Sequence, residues 1–132
     1  ASLFGHAEAT VELDPESFKE AVENSGKNVF VKFFAPWCGH CKRLKPDWDK
    51  LAEEYEGSSS VLIADVDCTK HQGLCSEFGV SGYPTLKYFK DGSTKPDDYK
   101  KGRALDVLKQ FVKDELEIAC QIGDLSTCTE KE

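Results

Sequence analysis

The chain has 132 residues, a length typical of one domain, and 39% of them are hydrophobic, which excludes an intrinsically disordered chain. Its net charge is −7, so we expect no basic surface for nucleic-acid phosphates. No apolar run is long enough to cross a membrane. Ala1–Phe4 is too short for a signal-peptide core, so the chain is expected to be a processed or excised product. We therefore expect one globular domain with neither a nucleic-acid nor a membrane partner.

The first half of the chain alternates predicted strands with predicted helices. Residues 1–8 are expected to be a loose lead-in to a strand over Thr10–Leu13. The run Asp14-Pro15-Glu16 has the order of an N-cap, a first-turn proline and an acidic first turn, and it predicts a helix that ends near Gly26. The apolar run Asn28–Phe34 then predicts a strand that is covered on both faces.

The second half of the chain completes an α/β pattern. Its predicted elements are a helix from Cys38 to about Glu56, a strand over Val61–Val66, a short helix or turn over Thr69–Phe78, hairpin strands over Thr85–Phe89 and Thr94–Tyr99, and a helix over Ala104–Leu116. The Asp91-Gly92 pair marks the hairpin turn, because both residue types accept positive φ angles. The long helix is a crossover connection, which makes the strands before and after it parallel.

The stretch that carries the chemistry follows the buried strand. It places Cys38-Gly39-His40-Cys41 at the start of the long helix. Two cysteines at this spacing lie on neighbouring turns of one helix face, close enough to form a disulfide. The free N–H groups and the positive dipole end of a helix start favour a thiolate at Cys38. We therefore predict a redox pair in which Cys38 is the nucleophile and Cys41, one turn further in, is the resolving thiol.

Two other roles are open to this cysteine pair. It could be a structural disulfide, or it could supply two of the four ligands that a structural zinc site needs. No second Cys-x-x-Cys occurs in the chain, so we expect no metal. The redox interpretation is preferred, since the pair follows a strand and opens a helix.

The stretch Trp37–Lys42, preceded by Ala35-Pro36, resembles the active-site signature of protein disulfide isomerase catalytic domains. Tyr83-Pro84-Thr85 is similar to the cis-proline loop of that family, and Gly102-Arg103 to its late arginine. The resemblance spans roughly Thr10 to Leu116. It implies an α/β thioredoxin fold, with a central mixed β-sheet flanked by helices on both faces, over residues 1–118. Residues 119–132 would form a cysteine-containing tail.

The resemblance also assigns roles to residues around the cysteines. It implies a cis peptide bond before Pro84, which leaves the backbone near Tyr83 free to bond an extended substrate. Trp37 and Tyr83 would add apolar surface for unfolded clients, or they are ordinary half-buried aromatic residues. Arg103 would swing towards the buried cysteine and lower its pKa, or it is a solvated arginine at the start of a helix.

His40 lies between the two cysteines, next to Gly39. If it is cationic, its charge stabilises the Cys38 thiolate both as attacking group and as leaving group. That effect favours the reduced form of the pair and makes the disulfide more oxidising. We therefore include both residues of the Gly-His pair in the predicted active site.

One pair of charges departs from the family pattern. The position six residues before the first active-site cysteine, typically acidic in the family, holds Lys32. The position two residues before the aspartate that ends the next strand, where the family tends to carry lysine, holds Asp65. We predict an inverted buried pair beneath Cys41, in which either Asp65 or neutral Lys32 accepts a proton. Alternatively, Lys32 extends to the surface and Asp65 is a solvated strand-end residue.

The other four cysteines form two pairs that are close in sequence. They are Cys68 with Cys75, and Cys120 with Cys128. Six cysteines allow about 15 connectivities, so pairing by proximity is an inference. We predict two structural disulfides, which indicate an oxidising compartment. The first pair could instead be free thiols or a second redox pair, and the second could join a neighbouring domain.

The resemblance implies a thiol–disulfide oxidoreductase and isomerase that forms, reduces and rearranges disulfides in folding proteins. It would need no cofactor beyond its own dithiol. Its partners would be unfolded or partly folded cysteine-containing polypeptides, together with glutathione or an upstream oxidase. We expect the chain to be one module of a larger protein of the endoplasmic reticulum lumen or secretory pathway. The alternatives are a thioredoxin-like module of a flavin-dependent sulfhydryl oxidase and a client-binding domain whose disulfide is idle.

Overall fold

The computed structural model of the protein describes residues 10–117. The elements within this range are β1 (Val11–Glu12), α1 (Pro15–Lys19, continued by a π-helical segment Glu20–Asn24), β2 (Asn28–Phe34), α2 (Gly39–Glu54), β3 (Val61–Asp67), α3 (Gln72–Glu77), β4 (Thr85–Phe89), β5 (Asp97–Asp98) and α4 (Leu105–Phe111, continued by a π-helical segment Val112–Leu116). The predicted order of strands and helices is confirmed. The predicted lead-in and the cysteine-containing tail lie outside the described residues.

The five strands form one mixed sheet in the order β1-β3-β2-β4-β5. The central strand β2 runs parallel to β3 and antiparallel to β4. The parallel pairing follows from the α2 crossover, which returns the chain to the same end of the sheet before β3 begins. In this register Lys32 lies directly beside Asp65.

Each face of the sheet carries its own apolar cluster. Val31 and Phe33 of β2 pack with Phe18 of α1 on one face, and the cysteines of the α3 region join this cluster. Phe30 points to the other face and packs against Trp48 of α2, with ring centroids 4.7 Å apart. Because side chains alternate along a strand, the two faces of β2 are both covered by helices. The predicted fold class is confirmed.

Two turn signals in the sequence form the structures that they predict. Asp14 caps α1: its carboxylate accepts the Ser17 N–H at 2.8 Å, and the Ser17 hydroxyl accepts the Asp14 N–H at 2.9 Å. Asp91 and Gly92 have φ angles of 60° and 74°, and the Ser93 N–H donates to the Lys90 carbonyl at 3.0 Å. This turn lies within the connection between β4 and β5, whose first paired residues are Tyr88 and Asp97.

The second hairpin strand is shorter than predicted. We expected it over Thr94–Tyr99, but the structure pairs only Asp97 and Asp98 with β4. Pro96 has no N–H to donate to the ladder, which accounts for the late start of the strand. Tyr99 still donates its N–H to the Leu86 carbonyl at 2.9 Å, so the chain stays attached to β4 beyond the strand.

No helix within residues 10–117 has the length and apolar character needed to cross a bilayer.

Candidate active site

Cys38 is the N-cap of α2 rather than its first helical residue. Its backbone is extended, with φ −77° and ψ 124°, and its Sγ accepts a hydrogen bond from the Cys41 N–H at 3.2 Å. The turn from β2 is held by the Cys38 N–H, which donates to the Ala35 carbonyl at 3.1 Å. The sulfur thus occupies the position in which a serine or aspartate oxygen usually caps a helix. A capping sulfur is stabilised as a thiolate by the free N–H groups that it faces.

The surroundings of Cys38 hold its pKa below the usual value for a thiol. Burial, the largest single cause, raises this pKa, but the other causes together lower it by more, beginning with hydrogen bonds from the Cys41 thiol and backbone N–H. The backbone N–H of His40 and the positive charge of Arg103 act in the same direction. At a given pH, a larger fraction of Cys38 is therefore the nucleophilic thiolate.

The surroundings of Cys41 have the opposite effect. The side chain is 4% exposed, against 7% for Cys38, and both thiols are free. Burial, followed by the hydrogen bond to Cys38 and the negative charge of that residue, raises the pKa of Cys41 to about 11. The positive charge of Lys32 lowers it in part. Cys41 is therefore a thiol at neutral pH and needs a base before it can attack.

The loop before β4 closes one side of the site. The Tyr83–Pro84 peptide bond is cis, and the Tyr83 carbonyl lies 3.4 Å from the Cys38 Sγ, which donates to it as a thiol. Trp37 is 68% exposed and contacts the Tyr83 ring edge-on, with centroids 5.7 Å apart. Trp37 is thus not half-buried. It forms exposed apolar surface next to the reactive sulfur.

Lys32 and Asp65 lie together behind the cysteines. The Lys32 Nζ is 3.6 Å from the Asp65 Oδ1, and the two residues are only 3% and 8% exposed. Lys32 therefore does not extend to the surface, and Asp65 is not solvated. The Asp65 Oδ1 accepts no hydrogen bond from any residue in the range 10–117. Burial raises the pKa of Asp65 to about 7, although the charge of Lys32 opposes this.

A cavity of about 360 Å³ joins this charge pair to the resolving cysteine. Its lining includes Lys32 from β2, Asp65 from β3, and Cys41 with Lys45 from α2. An amine, a carboxyl group and a thiol thus share one space between the sheet and the helix. Charges around it also act on Asp65: Asp49 raises its pKa, and Lys45 lowers it.

His40 and Gly39 stand at the exposed start of α2. The His40 Nδ1 is 2.8 Å from the Arg43 Nη2. A guanidinium group only donates, so Nδ1 is the acceptor in this contact. It is the backbone N–H of His40 that lowers the pKa of Cys38. A Cβ added to Gly39 would meet no atom within 4 Å, so no steric need for glycine exists there.

Arg103 is exposed in the loop before α4. Its positive charge lowers the pKa of Cys38, whereas the cation that lowers the pKa of Cys41 is Lys32. In this structure the charge of Arg103 therefore acts on the nucleophile, and its swing towards Cys41 stays a prediction.

Sequence reasoning missed two partners of the motif. One is the Tyr83 carbonyl, a backbone group with no sequence signal of its own. The other is Arg43, whose spacing of three residues from His40 places the two side chains on one helix face and could have revealed the contact.

The remaining cysteines are only partly within the described residues. Cys68 and Cys75 form a disulfide, and they are 2% and 3% exposed. Cys120 and Cys128 lie outside the described residues, so their pairing stays a prediction. Between residues 10 and 117, no three His, Cys, Asp or Glu side chains are arranged to hold a metal ion.

The comparisons with known proteins agree on one family. A thioredoxin family model matches residues 9–114. The protein disulfide-isomerase-like protein EhSep2 of Emiliania huxleyi is 50% identical over 129 residues, which is 97% of this chain and 58% of that protein. A thioredoxin domain-containing protein 5 homolog of Drosophila melanogaster is 55% identical over 108 residues, 81% of this chain and 26% of that protein. The chain thus spans only part of each relative.

Solved structures agree with this assignment. The first thioredoxin domain of mouse protein disulfide-isomerase A4 is 32% identical with a TM-score of 0.67, over 83% of this chain and 75% of that one. The J-Trx1 fragment of ERdj5 is 33% identical with a TM-score of 0.72, over 80% of this chain and 49% of that one. The chain belongs to the thioredoxin family. Its relatives make it a domain of the protein disulfide isomerase type, which confirms the predicted family.

Proposed function

We propose that this domain forms, reduces and rearranges disulfides in cysteine-containing polypeptides through Cys38 and Cys41. One observation carries the proposal: the Cys38 Sγ caps α2 and accepts the Cys41 N–H at 3.2 Å. This arrangement supports a reactive thiolate next to a buried thiol that can displace whatever Cys38 has captured. As only part of each relative is spanned, the substrates and partners of the whole protein belong to this proposal.

The reduction of a client proceeds in two exchanges. The Cys38 thiolate attacks one sulfur of the client disulfide, and the other client sulfur leaves as a thiolate that takes up a proton. Cys41 then loses its proton and attacks the Cys38 sulfur, so that the second client sulfur leaves. The Cys38–Cys41 disulfide has formed, and the client has gained two electrons. The reverse sequence oxidises a client.

The loop before β4 orients the client. An extended client segment would bond the backbone near Tyr83 and Pro84, in the manner of an added strand. The exposed Trp37 ring beside Tyr83 supports this, since it offers apolar surface to unfolded segments at the reactive sulfur.

Lys32 and Asp65 serve the second exchange. Cys41, with a pKa of about 11, needs a base, and the cavity behind it holds a carboxyl group whose pKa is about 7. Asp65, or Lys32 in its neutral form, accepts the Cys41 proton, and the charge of Lys32 stabilises the thiolate that results. In the mixed disulfide the negative charge of Cys38 is gone, which removes one of the causes that raise the pKa of Cys41.

His40 and Arg103 would adjust the charge at Cys38. Arg103 supports the thiolate directly. A cationic His40 would do the same for Cys38 as a leaving group, but its Nδ1 must first leave Arg43, because both groups would then be donors.

The domain would work inside a larger protein of the secretory pathway, in the lumen of the endoplasmic reticulum. Two observations support this: the chain spans 58% and 26% of two relatives, and a buried disulfide joins Cys68 to Cys75. Buried structural disulfides are typical of oxidising compartments. Electrons would pass to or from glutathione or an upstream oxidase.

The proposal is tested by trapping intermediates of the reduced domain with an unfolded client that keeps its disulfides, because the Cys38 thiolate attacks a client disulfide. We expect Cys38→Ser to abolish exchange and Cys41→Ser to accumulate mixed disulfides between Cys38 and the client, visible by mass spectrometry. Mixed disulfides that form equally in Cys38→Ser would refute the assignment of the nucleophile.

A redox titration separates catalysis from an idle disulfide. A catalytic pair equilibrates with glutathione near roughly −180 to −210 mV, the poise of the endoplasmic reticulum. A Cys38–Cys41 bond whose reduction potential lies below about −300 mV would instead be a structural disulfide.

A further inference from the structure

A second cavity, of about 280 Å³, lies beside the cis-proline loop. Its lining includes Ser81, Pro84, Lys100 and Arg103. Pro84 follows Tyr83 directly, and the Tyr83 carbonyl is 3.4 Å from the Cys38 Sγ. The cavity therefore shares Pro84 with the loop whose Tyr83 carbonyl contacts the reactive sulfur.

The charge of this cavity is opposite to that of the chain. Its lining holds three cations, Lys87, Lys100 and Arg103, and one carboxylate, Asp98. Lys87 and Asp98 neutralise each other, with Nζ and Oδ1 2.6 Å apart. Among the residues that the structure describes, no carboxylate forms an ion pair with Lys100 or Arg103. Two cations without an ion-pair partner among the described residues thus line this cavity in a chain whose net charge is −7, and the charge of one of them, Arg103, acts on Cys38.

We propose that this cavity binds a carboxylate of glutathione disulfide and so selects small anionic disulfides as redox partners of Cys38. The inference rests on the proposed exchange activity and names a substrate class for it. Each half of glutathione disulfide carries two carboxylates and one ammonium group at neutral pH, so it is a peptide-sized anion. In this proposal Lys100 and Arg103 bind the carboxylate, and Ser81, which also lines the cavity, supplies a hydroxyl donor.

The exchange itself balances without a further reactant. The Cys38 thiolate attacks one sulfur of glutathione disulfide, and the first glutathione leaves as a thiolate. Cys41 attacks the Cys38 sulfur and displaces the second glutathione. The Cys38–Cys41 disulfide is formed, glutathione disulfide is reduced to two thiols, and the two protein thiol protons pass to solvent or to the departing thiolates.

The test compares three disulfides of different charge as oxidants of the reduced domain. They are glutathione disulfide, which is anionic, 2-hydroxyethyl disulfide, which is neutral, and cystamine, which is cationic. We use the ratio of the glutathione rate to the neutral rate, because any change in Cys38 reactivity affects both and cancels. Lys100→Gln should lower this ratio about twofold to fivefold, and Lys100→Gln with Arg103→Gln by roughly fivefold to tenfold. The ratio of the cystamine rate to the neutral rate should rise in both variants.

A matched control removes one positive charge elsewhere. Lys95 is exposed in the hairpin and does not line the cavity, so Lys95→Gln should leave both ratios unchanged. An unchanged glutathione ratio in the double variant would overturn the subsite and leave the proposed function standing, because a loss of Cys38 reactivity lowers both rates and not their ratio. A fall of equal size in Lys95→Gln would also overturn it, because net charge would then suffice. Failure of the unaltered domain to react with any of the three disulfides would refute the proposed function itself.

Discussion

At the scale of single residues, Lys32 and Asp65 are the pair at which the sequence departs from the pattern that its family resemblance implies. The sequence predicted that they would meet, because strands on either side of a crossover helix are parallel neighbours. The structure places them 3.6 Å apart, on the face of the sheet that α2 covers. The sequence could not show that the Asp65 carboxyl titrates near neutral pH, since this depends on its burial.

The first prediction concerns the rate at which Cys41 resolves a mixed disulfide. If Asp65 is the base, this rate rises with pH through about 7, where the carboxyl group loses its proton. Asp65→Asn should slow resolution and remove that inflection, while the first attack by Cys38 changes little. Lys32→Met tests the alternative base. If neutral Lys32 accepts the proton, Lys32→Met should resolve the mixed disulfide more slowly than Asp65→Asn does. Rapid quenching of a preformed glutathione mixed disulfide measures the rate.

Asp47→Asn is the matched control for this experiment, because Asp47 lies on α2 but does not line the cavity. Its resolution rate and pH profile should equal those of the unaltered domain. A normal rate and inflection in both Asp65→Asn and Lys32→Met would remove the pair from the mechanism.

The second prediction concerns stability against pH. The pKa of Asp65 is raised from 3.8 to about 7, so between these values the folded domain holds a proton that the unfolded chain has released. The contribution of Asp65 to the free energy of unfolding therefore falls as pH rises, by at most about 1.4 kcal/mol per pH unit. Asp65→Asn should match the unaltered domain near pH 4 and become more stable than it above pH 7.

Urea unfolding from pH 4 to 8 measures this difference. A simple view of the ion pair predicts the opposite result, a loss of about 3–5 kcal/mol when one partner is removed. Such a loss at pH 8 would show that the pair stabilises the fold and that burial does not dominate the titration of Asp65.

At the scale of elements, the sequence predicted β2 with its observed bounds, because a run of apolar residues covered on both faces leaves little freedom of assignment. The cap at Asp14 and the turn at Asp91-Gly92 were also predictable, since each rests on local chemistry. The bounds of β5 were predicted too early, although Pro96 signals the late start in the sequence: it has no N–H for the ladder, and pairing begins only after it. The contact between Arg43 and His40 escaped prediction, since sequence reasoning considered the motif alone.

The third prediction concerns the disulfide between Cys68, which follows β3, and Cys75, which lies in α3. Cys68 and Cys75 are 2% and 3% exposed, and both sulfurs belong to the apolar cluster of that face. Mild reduction should therefore open Cys38–Cys41 first and leave Cys68–Cys75 intact, as peptide mapping after alkylation would show. The control is the same treatment in denaturant, where both bonds should open together. Free thiols at Cys68 or Cys75 in the folded, mildly reduced domain would contradict a structural role.

The same map tests the predicted Cys120–Cys128 disulfide. Crossed pairs that join either of these residues to Cys68 or Cys75 would remove the pairing by proximity.

At the scale of the whole molecule, one buried amide connects three parts of the chain. Asn28 is 5% exposed at the start of β2. Its Nδ2 donates to the Leu116 carbonyl at 2.8 Å, and its Oδ1 accepts the Asp91 N–H at 3.0 Å. The end of α4 and the hairpin turn are thus both tied to the central strand. Sequence reasoning assigned Asn28 only to the strand, because its partners lie 88 and 63 residues away.

The fourth prediction follows from these two bonds. Asn28→Ala leaves a buried carbonyl and a partly buried N–H without a partner, so it should cost about 2–4 kcal/mol in the free energy of unfolding. Asn24→Ala, at an exposed position whose amide donates only within its own helix, should change it by less than about 0.5 kcal/mol. Equal effects in the two variants, measured by urea unfolding, would show that the connection made by Asn28 adds no stability.

The central claim is that the fold makes Cys38 nucleophilic and keeps Cys41 protonated until it resolves a mixed disulfide. The most direct measurement is the alkylation rate of each thiol in the reduced domain at pH 6, read by mass spectrometry. Cys38 has a pKa below 9.0 and Cys41 one of about 11, so their thiolate fractions differ by at least about a hundredfold. The greater nucleophilicity of the more basic thiolate reduces this advantage to about tenfold. We predict that Cys38 reacts at least about ten times faster than Cys41; equal rates would contradict the account.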